Sequence, residues 1–359
     1  MTIENALPHP QVKLIATGGT IAMRYDEELK ASVPALNGEA VLAIAPNVGR
    51  YATIDLENFG NKPSAHLDVS DWLALSQSVN RALANKNISA VVITHGTDTL
   101  EDNAFFLDLT LHTVKPVVMV GALRDASAKD GDGPSNLVDA VNVAVHPQAL
   151  KNASELGVMV VMNGKICAAR HVRKNHTVNI DAFNCGEAGY LGTVADNTVQ
   201  FNQIAPSNCV KQLVLDAAAI TAIQLPRVDI ITMYPGADAV LIDAAIAAGA
   251  KGLVIQALGA GNLNEAFYDA INRIINHPIN YATNNAAHKN IPVVITSRVP
   301  NGAVTPAYGF KGGGQTLQQI GTVFAADLPA HKARLVLMLG LHKRMDLPLL
   351  AQLFNSLSL

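Results

Sequence analysis

Aromatic side chains are scarce: Phe, Trp and Tyr make up 5% of the 359 residues, and there is one Trp. Charge is sparse and nearly balanced, with 26 basic against 29 acidic side chains for a net charge of −3. Such a chain has no positive field to gather a polyanion, so nucleic acid is not an expected partner and a small molecule is the default. The three cysteines, Cys167, Cys185 and Cys209, are odd in number and lack the close spacing of zinc sites or redox dithiols. They read as free thiols in a reducing compartment rather than as a disulfide framework. The opening residues, MTIENALPHPQ, show no basic start followed by an apolar stretch, so no secretory signal is expected and the expected location is cytoplasmic. Long apolar runs are missing as well. The most membrane-like stretch, 239–261, is interrupted by Asp243, Gly249, Lys251 and Gly252 and divides into a helix and then a strand, so no membrane span is expected.

What the chain has in quantity is small and branched apolar residues, which suit buried parallel strands covered by alanine-rich helices. Its 359 residues exceed what one core usually serves, so about two domains are expected. Apolar β-branched runs alternate with segments of helical period: VKLIAT, SDWLALSQSVNRALAN, AVVITHG, LEDNAFFLDLTLH, PVVMVGA, SNLVDAVNVAVH and GVMVVMN. Strand followed by helix, repeated, predicts an α/β domain with a largely parallel sheet. A second series runs VDIITMYPG, AVLIDAAIAAG, GLVIQALG, LNEAFYDAINRIINH, IPVVITSR and a terminal helix around DLPLLAQLFNSLSL. The pattern loosens between the two, and Pro206 and Pro226 intervene. The expected division is a larger N-terminal domain over 1–205, a linker over 206–226 and a smaller C-terminal α/β domain over 227–359.

Ligands of open parallel sheets bind beyond the carboxyl ends of strands, so the polar residues following each apolar run are the candidates. In VKLIATGGTIA the strand runs into Thr17, two glycines and Thr20. That is either an ordinary turn or a backbone shaped for a ligand with Thr20 at its mouth, and the glycine spacing does not match a dinucleotide fingerprint. AVVITHGTDTLEDNA delivers His95, Gly96, Thr97, Asp98 and Thr99 ahead of a helix. One of these is expected to cap the helix, but five exceed that need, and His95 has no second histidine spaced for a metal. In NGKICAARHVRKNHT the basic residues Arg170, Arg173 and Lys174 form a solvated face, contact a phosphate, or supply a lysine base. GLVIQALGAGNL brings Gly259, Gly261 and Asn262 to a strand end, as a plain turn or a site. Threonine is a weak nucleophile unless a base and oxyanion donors flank it; Thr20, Thr97, Asp98 and Lys174 are the residue types such a group needs.

TGGTIA at 17–22 and HGTDT at 95–99 resemble the two signatures of the bacterial-type L-asparaginases, a family that includes the glutaminase-asparaginases. The similarity extends along nearly the whole chain through PVVMVGALR, DGPSNLVDAV, GVMVVMN, RKNHT, GAGNL and SRVPNGA, in the family's order. The resemblance implies a two-domain α/β fold assembled as a homotetramer of intimate dimers, with each site completed by the partner subunit. It implies hydrolysis of asparagine to aspartate and ammonia with no metal or organic cofactor. By the same resemblance Thr20 is the nucleophile, and Thr97 with Lys174 forms the proton-relaying group. Asp98 holds the substrate's ammonium, Ser64 its carboxylate, the Ala122 carbonyl receives the amide, and Asn262 reaches in from the partner. The family's loop tyrosine has no counterpart over 28–36, leaving Tyr25 as a substitute. The segment after SRVPNGA is shortened, with Tyr308 near the place of the glutamate found in glutaminase-active members, and Ala65 replaces a polar side chain. Glutamine or another short amide is therefore an alternative substrate, and a silent amino-acid sensor is an alternative function.

Overall fold

The computed structural model describes residues 9–202, 213–276 and 291–357, and the chain divides into two compact units, one ending at Ile223 and the other beginning at Gln224. Cys209 and residues 203–212, which include part of the expected linker, lie outside the described residues.

Among the described residues the first unit has twelve strands: β1 (Gln11–Ala16), β2 (Met23–Asp26), β3 (Ala31–Pro34), β4 (Thr53–Asn58), β5 (Ile88–Thr94), β6 (Val117–Val120), β7 (Val158–Met162), β8 (Lys165–Ala168), β9 (Arg173–Lys174), β10 (Phe183–Asn184), β11 (Gly192–Ala195) and β12 (Thr198–Phe201). Eight of them form one sheet in the order β12-β11-β8-β7-β6-β5-β1-β4. The run from β7 to β4 is parallel, while β8, β11 and β12 extend it by antiparallel pairing. In the central strands β5, β6 and β7 both faces are buried, as continuous Val and Ile runs require when helices cover a sheet on either side. Those helices are Val69–Ala84, Leu100–Thr110 and Gly133–Val145. The first opens with a capping box, Asp68 accepting from the Asp71 amide and Asp71 accepting from the Asp68 amide. Phe105 and Phe106 of the second are wholly buried, each contributing roughly 1.5–3 kcal/mol by leaving water.

The second unit carries a four-stranded parallel sheet of β13 (Val228–Thr232), β14 (Gly252–Ala257), β15 (Val293–Ser297) and β16 (Val323–Phe324), in that order. Helices Val240–Ala247, Glu265–Asn276, Ala330–His342 and Leu347–Ser356 accompany it. The apolar stretch 239–261 is, as its glycines and charges suggest, a helix followed by β14, and among the described residues no helix is long and apolar enough to cross a membrane. Cys167 and Cys185 are free thiols in the interior.

Candidate active site

Strands β1 and β5 lie side by side in parallel, with Ala16 opposite Thr94, so the segments leaving them emerge at the same edge of the sheet. Thr17 fastens them together, its hydroxyl donating to the Thr94 carbonyl at 2.8 Å, and the amide of Lys62 binds the Thr17 carbonyl at 3.3 Å. Two residues further on the backbones touch. A Cβ on Gly19 would sit 2.3 Å from the Gly96 Cα, and Gly19 has φ +83°, so size and backbone conformation both demand glycine there. Thr20 follows immediately, half-buried, opening the 3-10 turn Thr20–Ala22. The glycine pair thus presses the nucleophile candidate's turn against the loop that carries His95–Thr99.

Within that loop Thr97 is buried and Asp98 has a side chain 65% exposed. Lys174, 77 residues later than Thr97, reaches both: its Nζ lies 2.9 Å from Thr97 Oγ1 and 2.7 Å from Asp98 Oδ1. Its backbone is set by pairing with Phe183 across β9 and β10 and by a hydrogen bond of 3.2 Å that its amide N–H donates to Glu101 Oε2. Since Arg170 is buried and Lys174 is engaged with Thr97 and Asp98, the basic run is not a solvated face. Ser64 is also brought in: its Oγ accepts the Asp98 amide at 3.2 Å and its carbonyl accepts the Thr99 hydroxyl at 2.9 Å. That bond uses a lone pair of the serine and leaves its hydroxyl proton to donate. The expected cap is not realised, because Thr99 occupies the N-cap position while its side chain binds Ser64 instead.

His95 is a fully buried scaffold group. Burial pushes its pKa down to about 4, so the ring is neutral, with the Nδ1 proton donated to the Gly96 carbonyl at 2.7 Å and Nε2 accepting from Asn103 Nδ2 at 3.0 Å. Both nitrogens being used, the ring has none left for a metal, and among the described residues no three His, Cys, Asp or Glu side chains cluster as ligands.

Ala122 lies at the mouth of β6, wholly buried, and a Cβ on its neighbour Gly121 would fall 3.2 Å from Thr97 Cγ2. Tyr25 lies on the same unit. It belongs to the β2–β3 ribbon, pairs with Ser32, and has a 47% exposed side chain that makes no hydrogen bond among the described residues. Its amide binds Ser127 Oγ at 2.9 Å, and Ser32 Oγ donates to Asp125 at 2.6 Å, so the ribbon is tied to the loop after β6. Asn262 is in the second unit, in a turn closed by its own backbone onto Leu258 at 2.8 and 3.1 Å, with a buried Oδ1 that has no partner among the described residues. Tyr308 there is half-exposed, 6.0 Å from the Phe310 ring.

Sequence reasoning missed three contributors. Glu101 was hidden as an ordinary acidic residue in a helix's first turn. Asp132 and Asn136, which brace the loop holding Ala122, stand one helical turn apart in DGPSN, and that i, i+4 pair was the available signal.

Family models match almost all of this framework: one described as "Asparaginase, N-terminal" over residues 11–207 and one as "Glutaminase/Asparaginase C-terminal domain" over 227–354. This chain belongs to the asparaginase family. It is 35% identical to "L-asparaginase 2" of Bacillus subtilis, over 96% of this chain and 86% of that protein, and 32% identical to "L-asparaginase 2" of Escherichia coli, over 98% and 94%. A Haemophilus influenzae relative at 33% identity, covering 99% of this chain and 95% of its own, is called "Probable L-asparaginase periplasmic". Among solved structures, a "Probable Cytoplasmic L-asparaginase" from Campylobacter jejuni shares the fold with a TM-score of 0.81 at 33% identity, over 96% of this chain and 99% of that one. The family's two-part architecture, a large mostly parallel unit followed by a smaller one, is the one seen here.

Proposed function

We propose that this protein hydrolyses L-asparagine to aspartate and ammonia through an acyl-threonine intermediate on Thr20. Thr20 Oγ attacks the side-chain carbonyl, its proton passes to the departing nitrogen, the C–N bond breaks and ammonia leaves. Water then adds to the ester and frees Thr20. Thr97 and Lys174 relay protons, Asp98 pairs with the substrate ammonium, the Ser64 hydroxyl donates to the α-carboxylate, and the Ala122 carbonyl receives the amide N–H. Tyr25, on the ribbon that begins three residues after Thr20, takes the place of the family's loop tyrosine. The observation that carries the reading is the contact of Lys174 Nζ with both Thr97 and Asp98 in a loop whose Gly96 abuts Gly19. An ammonium within hydrogen-bond distance of a buried hydroxyl can hold or move its proton, and a carboxylate beside it orients an amino group.

The relatives named as L-asparaginases support the substrate. One methylene in a pocket is worth only about 1–3 kcal/mol, so glutamine is compared directly. The proposal includes domains at 1–205 and 227–359 joined by 206–226, and a homotetramer in which a partner's Asn262 completes each site. The cytoplasm is the assigned compartment, supported by the free interior thiols. The test is ammonia release from asparagine and glutamine by the parent and by Thr20→Ala. Near-parental turnover in the variant removes Thr20 from the chemistry, and higher kcat/KM on glutamine reassigns the substrate.

A further inference from the structure

The loop after β6 is pinned from both ends by one helix. Asp132 occupies the N-cap of Gly133–Val145, yet its side chain makes no cap bond there. Its carboxylate turns back to accept the Leu123 amide at 3.0 and 3.1 Å and the Arg124 amide at 2.9 Å, and it also accepts Asn136 Nδ2 at 3.0 Å. The same Nδ2 donates to the Gly121 carbonyl at 3.1 Å, and Asn136 Oδ1 accepts the Asn163 amide at 3.0 Å, so the end of β7 is tied in as well. Asp132 and Asn136 are both buried, where an unmade hydrogen bond is costly and a made one rigid.

Between these fastened neighbours lies Ala122. It is 0% exposed, and among the described residues neither its N–H nor its C=O has a hydrogen-bond partner. Buried peptide groups are nearly always paired, so an unpaired one between two clamped ones marks backbone kept for something other than the fold. The helix start also abuts the nucleophile's turn: a Cβ on Gly133 would lie 2.9 Å from Ile21 Cγ1 and 3.4 Å from the Ala122 Cβ, and Ile21 follows Thr20 directly.

We infer that Asp132 and Asn136 are positioning residues for amide hydrolysis, fixing the Ala122 peptide relative to the Thr20 turn so that its carbonyl orients the scissile amide. This rests on the reading of the site proposed above. The amino and carboxylate ends of the substrate are assigned to other residues, Asp98 and Ser64. Loosening the clamp therefore costs alignment at the reacting carbon more than head-group binding, and small misplacements there are expensive in rate.

The experiment compares parent, Asn136→Ala and Asp132→Asn by steady-state ammonia release, aspartate binding by calorimetry, and thermal melting. Asp132→Asn keeps an acceptor for the two loop amides but turns an NH2 toward that of Asn136; it carries the test should Asn136→Ala not fold. The expected result is a kcat at least tenfold lower on asparagine with the aspartate Kd within about twofold of the parent. A folded variant with parental kcat, or one whose kcat and aspartate affinity fall in step, overturns the positioning role. A parent that releases no ammonia from asparagine overturns instead the reading of the site beneath it.

Discussion

The ammonium of Lys174 stands 2.9 Å from the hydroxyl of Thr97, two side chains that the chain brings together from β9 and from the loop after β5. The Lys174 side chain is 16% exposed and the bond is charge-assisted, so solvent does little to loosen it. Lys174→Met removes the proposed proton carrier and the positive charge beside Asp98 at once. The expected outcome is a kcat lower by about 10²–10⁴-fold, the range typical of a lost general acid–base group, with a native circular dichroism spectrum. Thr97→Val should lose a similar amount, and the double variant little more than the worse single one, because residues acting as a unit are not additive. Fully multiplicative losses would mean that the two act separately.

Gly19 is where fold and site are least separable. Gly19→Ala places a methyl 2.3 Å from the Gly96 Cα at a φ of +83°, so the Thr20 turn and the His95–Thr99 loop must part. Strain of this kind costs about 1–3 kcal/mol, and displacement of the proposed nucleophile Thr20 by about 1 Å costs roughly 10²-fold in rate. Urea unfolding and ammonia release should both register it. A variant with parental turnover would show that contact between these loops is not what aligns Thr20.

The strand-and-helix alternation was readable because β-branched runs such as AVVIT and PVVMV are bounded by clear breaks, and β5 and β6 lie where those runs stand. The helix Ala330–His342 was not read: Lys332, Arg334 and the Leu-rich stretch around them give no clear apolar stripe, and nine of its thirteen residues are buried. The antiparallel additions β8, β11 and β12 are four residues each, too short for periodicity to register. At the candidate site, Thr20, Thr97 and Asp98 stood out in the sequence because they follow apolar strand runs. Lys174 was ambiguous within its basic run, since only tertiary pairing of β9 with β10 turns it to Thr97. Asp132 was passed over in the sequence, and only the fold shows its carboxylate bonded to Leu123 and Arg124.

The β2–β3 ribbon carrying Tyr25 is held to the loop after β6 by the Ala126 amide on the Met23 carbonyl at 2.9 Å, by the Tyr25 amide on Ser127 Oγ, and by the Ser32 hydroxyl on the Asp125 carboxylate. The Ser127 hydroxyl, and then that of Ser32, hold the Asp125 carboxylate below its usual range. A depressed acid pKa means that the tie is complete above the ordinary Asp value of about 3.9 and is lost as pH falls through the lower folded value. Asp125→Ala at neutral pH should therefore reproduce what strong acid does, with faster proteolytic cleavage within 23–34. If Tyr25 serves the reaction, KM and kcat change together in this variant, and Tyr25→Phe lowers kcat with the ribbon still protected. Unchanged proteolysis in Asp125→Ala would show that backbone pairing alone holds the ribbon.

His95 gives a pH dependence of stability with a definite sign. Its folded pKa of about 4 lies below the ordinary imidazole value of about 6.5 because burial excludes the charged ring. Between those values the unfolded chain binds the extra proton, so the contribution is complete above pH 6.5 and shrinks as pH falls toward 4, by roughly 3 kcal/mol in all. Asp139, on the helix Gly133–Val145, works the other way: burial raises its pKa to about 6, so its ionisation opposes folding above that pH and relief comes on acidification. The two partly cancel in the parent, which makes the bare pH profile a poor test. Urea midpoints from pH 4 to 7.5 should instead fall more steeply on acidification in Asp139→Asn than in the parent. In His95→Gln the acid-side loss should shrink to the part that the burial-lowered His146 and His342 rings contribute, and the Asp139 effect should lead, with stability rising as pH falls from 6. A His95→Gln protein that keeps the parental slope would mean that the ring is protonated in the fold, and its single-tautomer bond to Gly96 and Asn103 would have to be abandoned.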